Sequence, residues 1–283
     1  MRKLYSPKTV KELMDFYDVN FSKSLGQNFL VDGNFVRRIV ESANVEEKNV
    51  IEVGPGIGTL SYEIAQKAKK LVVIEIDRSL VPILNENLSE FSNTKIIRED
   101  ILKVDINKIV EEDFNGEDFI LISNLPYYIT TPIIEKFAKI EKCKNMTIML
   151  QKEVAMRILA KESTKDYSAL TLFVKFFADV KKEFNVAKTV FMPKPKIDST
   201  VLNLKLRIYD KSVDQKILFD LIHAGFNKRR KTILNSLQNV CKKEELIEIF
   251  EKLNISPKLR AENLTLDRYI DISKEVENIR KQK

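Results

Sequence analysis

Hydrophobic and polar positions divide the chain into two regions of different periodicity. From residue 49 onward, short apolar runs rich in Val and Ile alternate with longer segments of helical spacing. The predicted strands are NVIEV (49–53), LVVIEI (71–76), KIIRED (95–100), FILIS (119–123), MTIMLQ (146–151) and STVLNLKLR (199–207). This alternation is typical of βαβ units and predicts an α/β fold with a mostly parallel sheet and helices on both faces.

The pattern changes after Tyr209, where the segments have helical periodicity and no glycine follows Gly225. The predicted helices are KILFDLIHAGF (216–226), KTILNSL (231–237), EELIEIFEKL (244–253) and LDRYIDISKEVENI (266–279). We therefore expect an α/β domain at residues 1–208 and a small all-α domain at residues 209–283.

Composition narrows the class of protein. With 283 residues, 44% of them hydrophobic and 31% charged, the chain is expected to be a soluble globular protein. An excess of 48 Lys+Arg over 41 Asp+Glu gives a net charge of +7, which favours polyanionic partners without proving one.

Cys143 and Cys241 have no metal-ligand spacing, so we expect no metal site and a location in the reducing cytoplasm. No apolar run is long enough for a bilayer, so we expect no membrane partner.

A glycine-rich loop offers the first candidate binding site. IEVGPGIGTLS (51–61) follows a predicted strand and opens a helix, and Gly54, Gly56 and Gly58 alternate within it. Glu75 ends the next strand, 21 positions after Gly54, where a carboxylate suits the two hydroxyl groups of a ribose. This spacing fits either a dinucleotide or another cofactor that contains adenosine.

Two details favour S-adenosylmethionine over NAD. The loop reads GPGIG, which differs from the GxGxxG of dinucleotide-binding loops. Asp100 ends the third strand, where its carboxylate can accept the exocyclic amine of adenine. The alternatives are that Asp100 caps a helix or turn and that Glu75 is a solvated strand end.

The segment SNLPYYITTPI (123–133) predicts an acceptor site for an adenine amine. The side-chain oxygen of Asn124 and the backbone carbonyl of Leu125 can accept the two N–H bonds of that amine. Pro126 stiffens the turn, and Tyr127 can stack on a flipped base. The alternative is a turn whose tyrosines pack under a neighbouring helix.

Six segments in this order resemble the small-subunit ribosomal RNA adenine dimethyltransferases. They are KSLGQNFLVD (23–32), IEVGPGIGTL (51–60), VIEID (73–77), NLPYYITTPI (124–133), FMPKPKIDSTV (191–201) and FNKRRKTILNSL (226–237). The resemblance runs from about residue 20 to the end of the chain. It implies a class I S-adenosylmethionine-dependent methyltransferase domain with a Rossmann-like sheet, followed by a small helical RNA-binding domain.

The resemblance also implies an activity and its site residues. The expected reaction is N6,N6-dimethylation of two adjacent adenines in the hairpin loop near the 3′ end of 16S rRNA during subunit biogenesis, by a monomer. The residues expected to bind the cofactor are Asn28, Leu30, Gly54, Glu75, Asp100 and Asn124. Phe191 is expected to cover the target adenine opposite Tyr127. From the residues alone, Asn28 could cap a helix and Phe191 could cover a core edge.

A basic cluster is the candidate RNA contact. Four cations, expected to open a helix, can contact phosphates; these are Lys228, Arg229, Arg230 and Lys231. The alternative is a solvated helix face.

Three functions from different classes remain open at this point. The first is an rRNA adenine dimethyltransferase, whose large-subunit antibiotic-resistance relatives share a similar N-L-P-Y segment. The second is a nicotinamide-dependent oxidoreductase, which explains only the glycine loop and Glu75. The third is a non-catalytic RNA-binding assembly factor that keeps the same fold.

Overall fold

The computed structural model describes residues 4–22, 26–125 and 129–282. The chain forms two compact units. The first contains the residues up to Ala155 together with Ala178–Arg207, and the second contains Met156–Phe177 together with the residues from Ile208 onward.

The first unit is built on a seven-stranded sheet and a separate two-stranded ladder. The strands in chain order are β1 Phe29–Leu30, β2 Asn49–Val53, β3 Lys70–Glu75, β4 Thr94–Arg98, β5 Phe119–Asn124, β6 Cys143–Gln151, β7 Ala178–Val186, β8 Phe191–Met192 and β9 Ser199–Leu206. The large sheet has the order β4-β3-β2-β5-β6-β9-β7, and β1 pairs with β8. The first five strands of this order, from β4 through β3, β2 and β5 to β6, are mutually parallel. Strand β9 is antiparallel to both of its neighbours, β6 and β7. The expected mostly parallel α/β sheet is confirmed.

Strand order determines where a ligand can bind. The chain runs outward from β2 to β3 and β4 and then returns to the other side of β2 to form β5. At such a reversal the connections leave in opposite directions and open a crevice at the carboxyl ends of the strands. Strand β2 is buried at all five positions, as expected for a strand covered on both faces.

Helices cover the sheet and begin where the sequence supplies caps or proline. The helices that start in the first unit are α1 Pro7–Phe16, α2 Gly33–Ala43, α3 Thr59–Ala65, α4 Val81–Leu88, α5 Ile106–Phe114, α6 Thr130–Ala138 and α7 Lys152–Ile158. The Asp32 carboxylate accepts the backbone N–H groups of Asn34 and Phe35, so Asp32 is the N-cap of α2. The suggestion that Asn28 caps this helix is therefore wrong.

Helix α1 precedes the segments that carry the resemblance and belongs to the core. Its buried residues Val10 and Leu13 pack in one apolar cluster with Ile57 of the glycine loop and Ile83 of α4. The N-terminal segment thus supports the loop from outside the sheet.

The second unit is helical and contains α8 Ala169–Phe177, α9 Gln215–Asn227, α10 Ile233–Leu237, α11 Lys243–Lys252 and α12 Leu266–Lys281. Periodicity predicts one domain at residues 1–208, but Met156–Phe177 belongs to the second unit. The physical reason is aromatic packing. The ring centroid of Phe219 on α9 lies 5.2 Å from that of Phe173 and 5.6 Å from that of Phe176. Within the described ranges, no helix has the length and apolarity needed to cross a membrane.

Gly225 in α9 provides a test of helix packing in the second unit. A Cβ at this position would lie 2.6 Å from the hydroxyl oxygen of Tyr269 and 3.2 Å from the Cβ of Ala261. Tyr269 is 0% exposed, so its ring has no room to move away. We expect Gly225→Ala to lower the free energy of unfolding by about 1–2 kcal/mol, because the overpacking outweighs alanine's helix propensity.

Denaturant unfolding measures this loss, and Tyr269→Phe supplies the control. Removing the hydroxyl should recover much of the loss in the double variant. A Gly225→Ala protein more stable than the parent would contradict the close approach of α9 and α12.

Candidate active site

A cavity of about 240 Å³ opens at the carboxyl ends of β2, β3 and β5. The glycine loop, the segment from Gly26 to Leu30 and the residues following β4 form its walls. All six residues expected to bind a cofactor line it, namely Asn28, Leu30, Gly54, Glu75, Asp100 and Asn124. Residues far apart in sequence thus meet at the crevice that strand order creates.

The glycine loop has the conformation that its glycines permit. The φ angles of Gly54, Gly56 and Gly58 are +67°, +62° and +86°, in the left-handed region. A Cβ on Gly56 would also lie 2.9 Å from the ring of Phe29, which itself lines the cavity. Gly56 is therefore required for both backbone conformation and close packing.

Glu75 is buried at the end of β3 and bonded to the glycine loop. Its Oε2 accepts the backbone N–H of Gly56 at 3.2 Å, and its Oε1 accepts the N–H of Asp77 at 2.8 Å. The residue is only 5% exposed, so the alternative of a solvated strand end is wrong. Burial raises the pKa of this carboxyl to about 7, although the two N–H donors oppose the shift.

Glu52 is a site residue that the sequence analysis missed. It lies within β2, is 1% exposed and lines the cavity. Its Oε2 is buried and has no hydrogen-bond partner among the described residues. Burial, together with the nearby Glu75 carboxylate, raises the pKa of Glu52 to about 8. The sequence feature that indicates Glu52 is an acidic residue inside the otherwise apolar strand NVIEV. Burying a carboxylate costs free energy, so a carboxylate within a buried strand suggests a functional role.

Asp100 is a turn residue that also lines the cavity. Its Oδ1 accepts the backbone N–H of Leu102 at 2.9 Å, as a turn-forming residue does. The half-buried residue also lines the cavity. The turn therefore fixes the carboxylate at the cavity wall.

A chain of hydrogen bonds holds the segment from Gly26 to Leu30 in place. The Gln27 side chain accepts the N–H of Ser22 at 2.7 Å and donates to Asp77 Oδ2 at 2.6 Å. The N–H of Asp77 in turn donates to Glu75. This chain links one wall of the cavity to the carboxylate at the end of β3.

Asn124 and Leu125 lie at the opposite wall. Asn124 Nδ2 donates to the backbone oxygen of Asn28 at 3.1 Å, and among the described residues the side-chain Oδ1 has no hydrogen-bond donor. Leu125 is buried, and its N–H donates to Met149 on β6 at 3.3 Å. Pro126 and Tyr127, predicted to complete this acceptor site, lie outside the described residues.

The side chain of Phe191 is buried in the core. Its side chain is 4% exposed and packs in the main core cluster with Leu30 and Val36. The ring therefore has no free face for stacking, and the expectation that Phe191 covers a target base is not supported by its placement. The alternative of covering a core edge describes it correctly, because β8 pairs with β1 and turns the ring inward.

Comparison with known proteins identifies the family. Residues 18–278 match the model of the ribosomal RNA adenine dimethylase family. The chain belongs to this family. It is 46% identical over 277 residues to the ribosomal RNA small subunit methyltransferase A of Alkaliphilus oremlandii, covering 95% of this chain and 96% of that protein. The corresponding protein of Clostridioides difficile is 43% identical over 280 residues, with 96% of each chain covered. The expected family and methyltransferase class are confirmed.

Solved structures agree with the family assignment. A dimethyladenosine transferase from Plasmodium falciparum has a TM-score of 0.75 and 25% identity, covering 88% of this chain and 98% of that one. The 23S rRNA methyltransferase ErmE has a TM-score of 0.65 at 23% identity, over 88% and 99% of the two chains. The class I methyltransferase fold of this family member is thereby confirmed.

The basic cluster of this dimethylase-family chain lies in the second unit. Its four residues form the turn between α9 and α10 and do not open a helix; they are Lys228, Arg229, Arg230 and Lys231. Thr232 caps the following helix α10. All of the cluster except Arg229 is exposed.

Arg229 is held by bonds within the second unit. Its Nε pairs with Glu262 Oε2 at 2.6 Å, and its Nη2 donates to the backbone oxygens of Lys165 and Thr164 at 2.6 and 3.2 Å. This side chain joins three loops of the unit. The guanidinium of Arg229 is thus already bonded within the protein, whereas its three neighbours in the cluster are exposed; a phosphate contact by any of the four stays a prediction.

The buried carboxylates predict how the stability of the ligand-free protein depends on pH. The ordinary pKa is 4.5, whereas the folded values are about 8 for Glu52 and about 7 for Glu75. The folded protein therefore binds these protons more tightly than the unfolded chain. Its free energy of unfolding should fall as pH rises from about 4.5 to about 8.

Glu52→Gln should reduce the fall of the free energy of unfolding with rising pH. At pH 8 it should stabilise the ligand-free protein by a few kcal/mol, the order of magnitude that corresponds to the raised pKa of Glu52. Thermal unfolding between pH 5 and pH 8 measures the effect. Glu112→Gln, which changes an exposed carboxylate on α5, is the matched control. If Glu52→Gln and Glu112→Gln have the same pH profile, Glu52 is ionised in the folded protein.

Proposed function

We propose that this dimethylase-family chain transfers methyl groups from S-adenosylmethionine to N6 of two adjacent adenines in the 3′-terminal hairpin loop of 16S rRNA. It acts as a monomer in the cytoplasm during biogenesis of the small ribosomal subunit. One observation carries the proposal. Asn124, whose side-chain oxygen has no donor among the described residues, lines the same cavity as the glycine loop and Glu75.

The chemistry of the cavity fits S-adenosylmethionine. This cofactor supplies an electrophilic methyl group on a positively charged sulfur and also carries an ammonium group. Glu52 lines the cavity, its Oε2 has no hydrogen-bond partner among the described residues, and a bound cation would favour the ionised form of this carboxyl. In this proposal Glu75 accepts the ribose hydroxyls, Asp100 accepts the adenine amine and Gly54 allows close backbone approach; all three line the cavity. Asn28 and Leu30 complete the wall.

The target amine needs orientation more than it needs a base. Its lone pair is delocalised into the adenine ring, so it is a weak nucleophile. Acceptors at Asn124 Oδ1 and at the Leu125 carbonyl bind its N–H bonds and favour the tetrahedral nitrogen of the transition state. In this proposal Tyr127, after Pro126, stacks on the flipped base. Phe191 contributes by supporting the wall at Leu30, with which it pairs.

The helical unit is the proposed main RNA-binding surface. It contains 20 Lys+Arg and 14 Asp+Glu, whereas the first unit contains 28 and 27, so nearly all of the net charge belongs to the helical unit. Exposed Lys228, Arg230 and Lys231 contact phosphates, which fix register without reading sequence. Arg229 holds the loops that present them.

This division of roles predicts different effects at neighbouring arginines. Arg230→Ala should weaken binding to small subunits and reduce the slope of log affinity against log salt by about 0.7–0.9, because one phosphate contact is lost. Arg229→Ala should weaken binding with little change of slope and should lower thermal stability. Filter binding at several salt concentrations measures both.

Glu262→Gln is the control for the positioning role, because it weakens the ion pair without removing a cation. It should reproduce the Arg229→Ala effects in milder form. Equal loss of salt slope in Arg229→Ala and Arg230→Ala would assign a phosphate contact to Arg229 as well.

Labelled S-adenosylmethionine tests the proposed reaction directly. Small subunits isolated from cells lacking the modification should accept label, and nucleoside digestion should yield N6,N6-dimethyladenosine, whereas large subunits should accept none. Asn124→Ala should lower the rate about 100-fold or more, because it removes an acceptor that acts in the transition state. Asn107→Ala, at an exposed position of α5, should leave the rate unchanged.

The other outcomes separate the competing functions. Label in large subunits would favour a resistance-type activity. Normal subunit maturation by Asn124→Ala with no methyl transfer by the parent protein would favour an assembly factor. Stabilisation against heat by NAD but not by S-adenosylmethionine would favour an oxidoreductase.

A further inference from the structure

The first unit has a net charge near zero but contains one segment with an excess of basic residues. Residues 178–207 contain seven Lys+Arg and three Asp+Glu, whereas the rest of this unit contains 21 and 24. Within this segment, residues 187–197 contain three lysines and no carboxylate. The positive charge is therefore concentrated around β8 and the loop that follows it.

Both ends of this loop are fixed beside the candidate active site. At its start, Leu30 of β1 pairs with Phe191 of β8, and Leu30 lines the cavity. At its end, Ser199 of β9 pairs with Gln151 at the carboxyl end of β6. Strand β6 is the neighbour of β5, which carries Asn124 at its own carboxyl end. The loop is therefore anchored at both ends to segments that reach the sheet edge where Asn124 lies.

Four lysines at this edge form what we call the basic rim: Lys152, Lys188, Lys194 and Lys196. Lys152 follows β6, and its N–H donates to the backbone oxygen of Asp198 at 3.0 Å, which joins it to the loop. Lys188 Nζ donates to the backbone oxygen of Lys196 at 3.1 Å. These bonds hold the rim together.

The rim charges are not neutralised locally. Lys152, Lys194 and Lys196 are exposed, and in the part of the chain that the structure describes none of them forms an ion pair. The loop's carboxylate, Asp198, accepts the backbone N–H of Lys188 at 3.0 Å. Glu153, the other nearby acid, is exposed. Three flexible ammonium groups thus remain available to an anionic partner.

We propose that the basic rim binds phosphates of the single-stranded RNA that flanks the target adenine and thereby positions this base at Asn124. The inference rests on the proposed function, since it takes the cavity as the methylation site. A base must leave its stack to enter a pocket, so its flanking backbone has to pass the pocket edge. Lysines suit that backbone, because they act as point charges on phosphate without reading sequence.

The rim is a second electrostatic contact, separate from the cluster at Lys228–Lys231. Its predicted contribution is to affinity and base placement and not to the chemical step. The double variant Lys194→Ala/Lys196→Ala should weaken binding of small subunits lacking the modification about 10-fold near 0.1 M salt. The slope of log affinity against log salt should decrease by about 1.4–1.8, as expected for two lost phosphate contacts.

Filter binding from 50 to 200 mM KCl measures affinity, and methyl transfer at varied subunit concentration separates KM from kcat. We expect KM for subunits to rise about as much as the affinity falls, with kcat changed less than about twofold. Lys194→Arg/Lys196→Arg should restore binding, since the charge is kept. Thermal stabilisation by S-adenosylmethionine should match that of the parent protein.

Lys67→Ala/Lys142→Ala is the matched control. Both lysines are exposed and lie at the amino edge of the sheet, where Lys67 and Lys142 accept backbone N–H groups at the starts of β2 and β5. If the rim variant has the same affinity and salt slope as this control, the proposal is overturned.

Two further outcomes are informative. Protein-free 16S rRNA should show the same loss of affinity as whole subunits; a loss confined to subunits would make a ribosomal protein the partner and overturn the RNA assignment. Filter binding also measures the effect of the rim lysines on affinity without requiring methyl transfer. Weakened binding of the rim variant, with no methyl transfer by the parent protein, would retain the rim and reject the proposed reaction.

Discussion

The close approach of Gly56 to its neighbours is the constraint on which the site depends. Its N–H donates to the buried Glu75 carboxylate, and the ring of Phe29 leaves no room for a Cβ. The glycine loop, the end of β3 and the segment containing β1 are therefore fixed against each other. Helix α1 adds support, because it packs on Ile57 of the same loop. These elements pack closely because Gly56 has no Cβ to hold the Phe29 ring away from the loop.

Buried carboxylates give this cavity its chemical character. Glu52 and Glu75 are both almost fully buried, and one oxygen of Glu52 has no hydrogen-bond partner in the part of the chain that the structure describes. In the ligand-free protein, protonation lowers the cost of burying them. A cationic ligand provides the alternative compensation, so the same groups that destabilise the empty site favour binding of a positively charged cofactor. Burial of these carboxyls therefore lowers the stability of the ligand-free protein and favours binding of a cationic ligand.

Much of the molecule could be predicted from periodicity and spacing. The strand runs, the helical region after Tyr209 and the meeting of Glu75, Asp100 and Asn124 at one sheet edge follow from local pattern and from the rule that parallel strands end together. The placement of Phe191 could not be predicted, because an aromatic beside prolines fits a surface or a core equally well. The sequence also could not predict that Met156–Phe177 belongs to the helical unit, because this depends on contacts with Phe219, which is distant in the chain.

The sequence by itself determined the fold class, the family and the residues around the cofactor cavity, because these depend on periodicity and on motifs whose spacing is local. The tertiary structure decided which side chains remain available for function. Arg229 and Arg230 are adjacent and chemically alike, yet Glu262 holds only the first of them. Lys194 and Lys196 likewise gain significance from the pairing of β8 with β1. Availability depends on contacts between distant segments, and only folding brings those segments together.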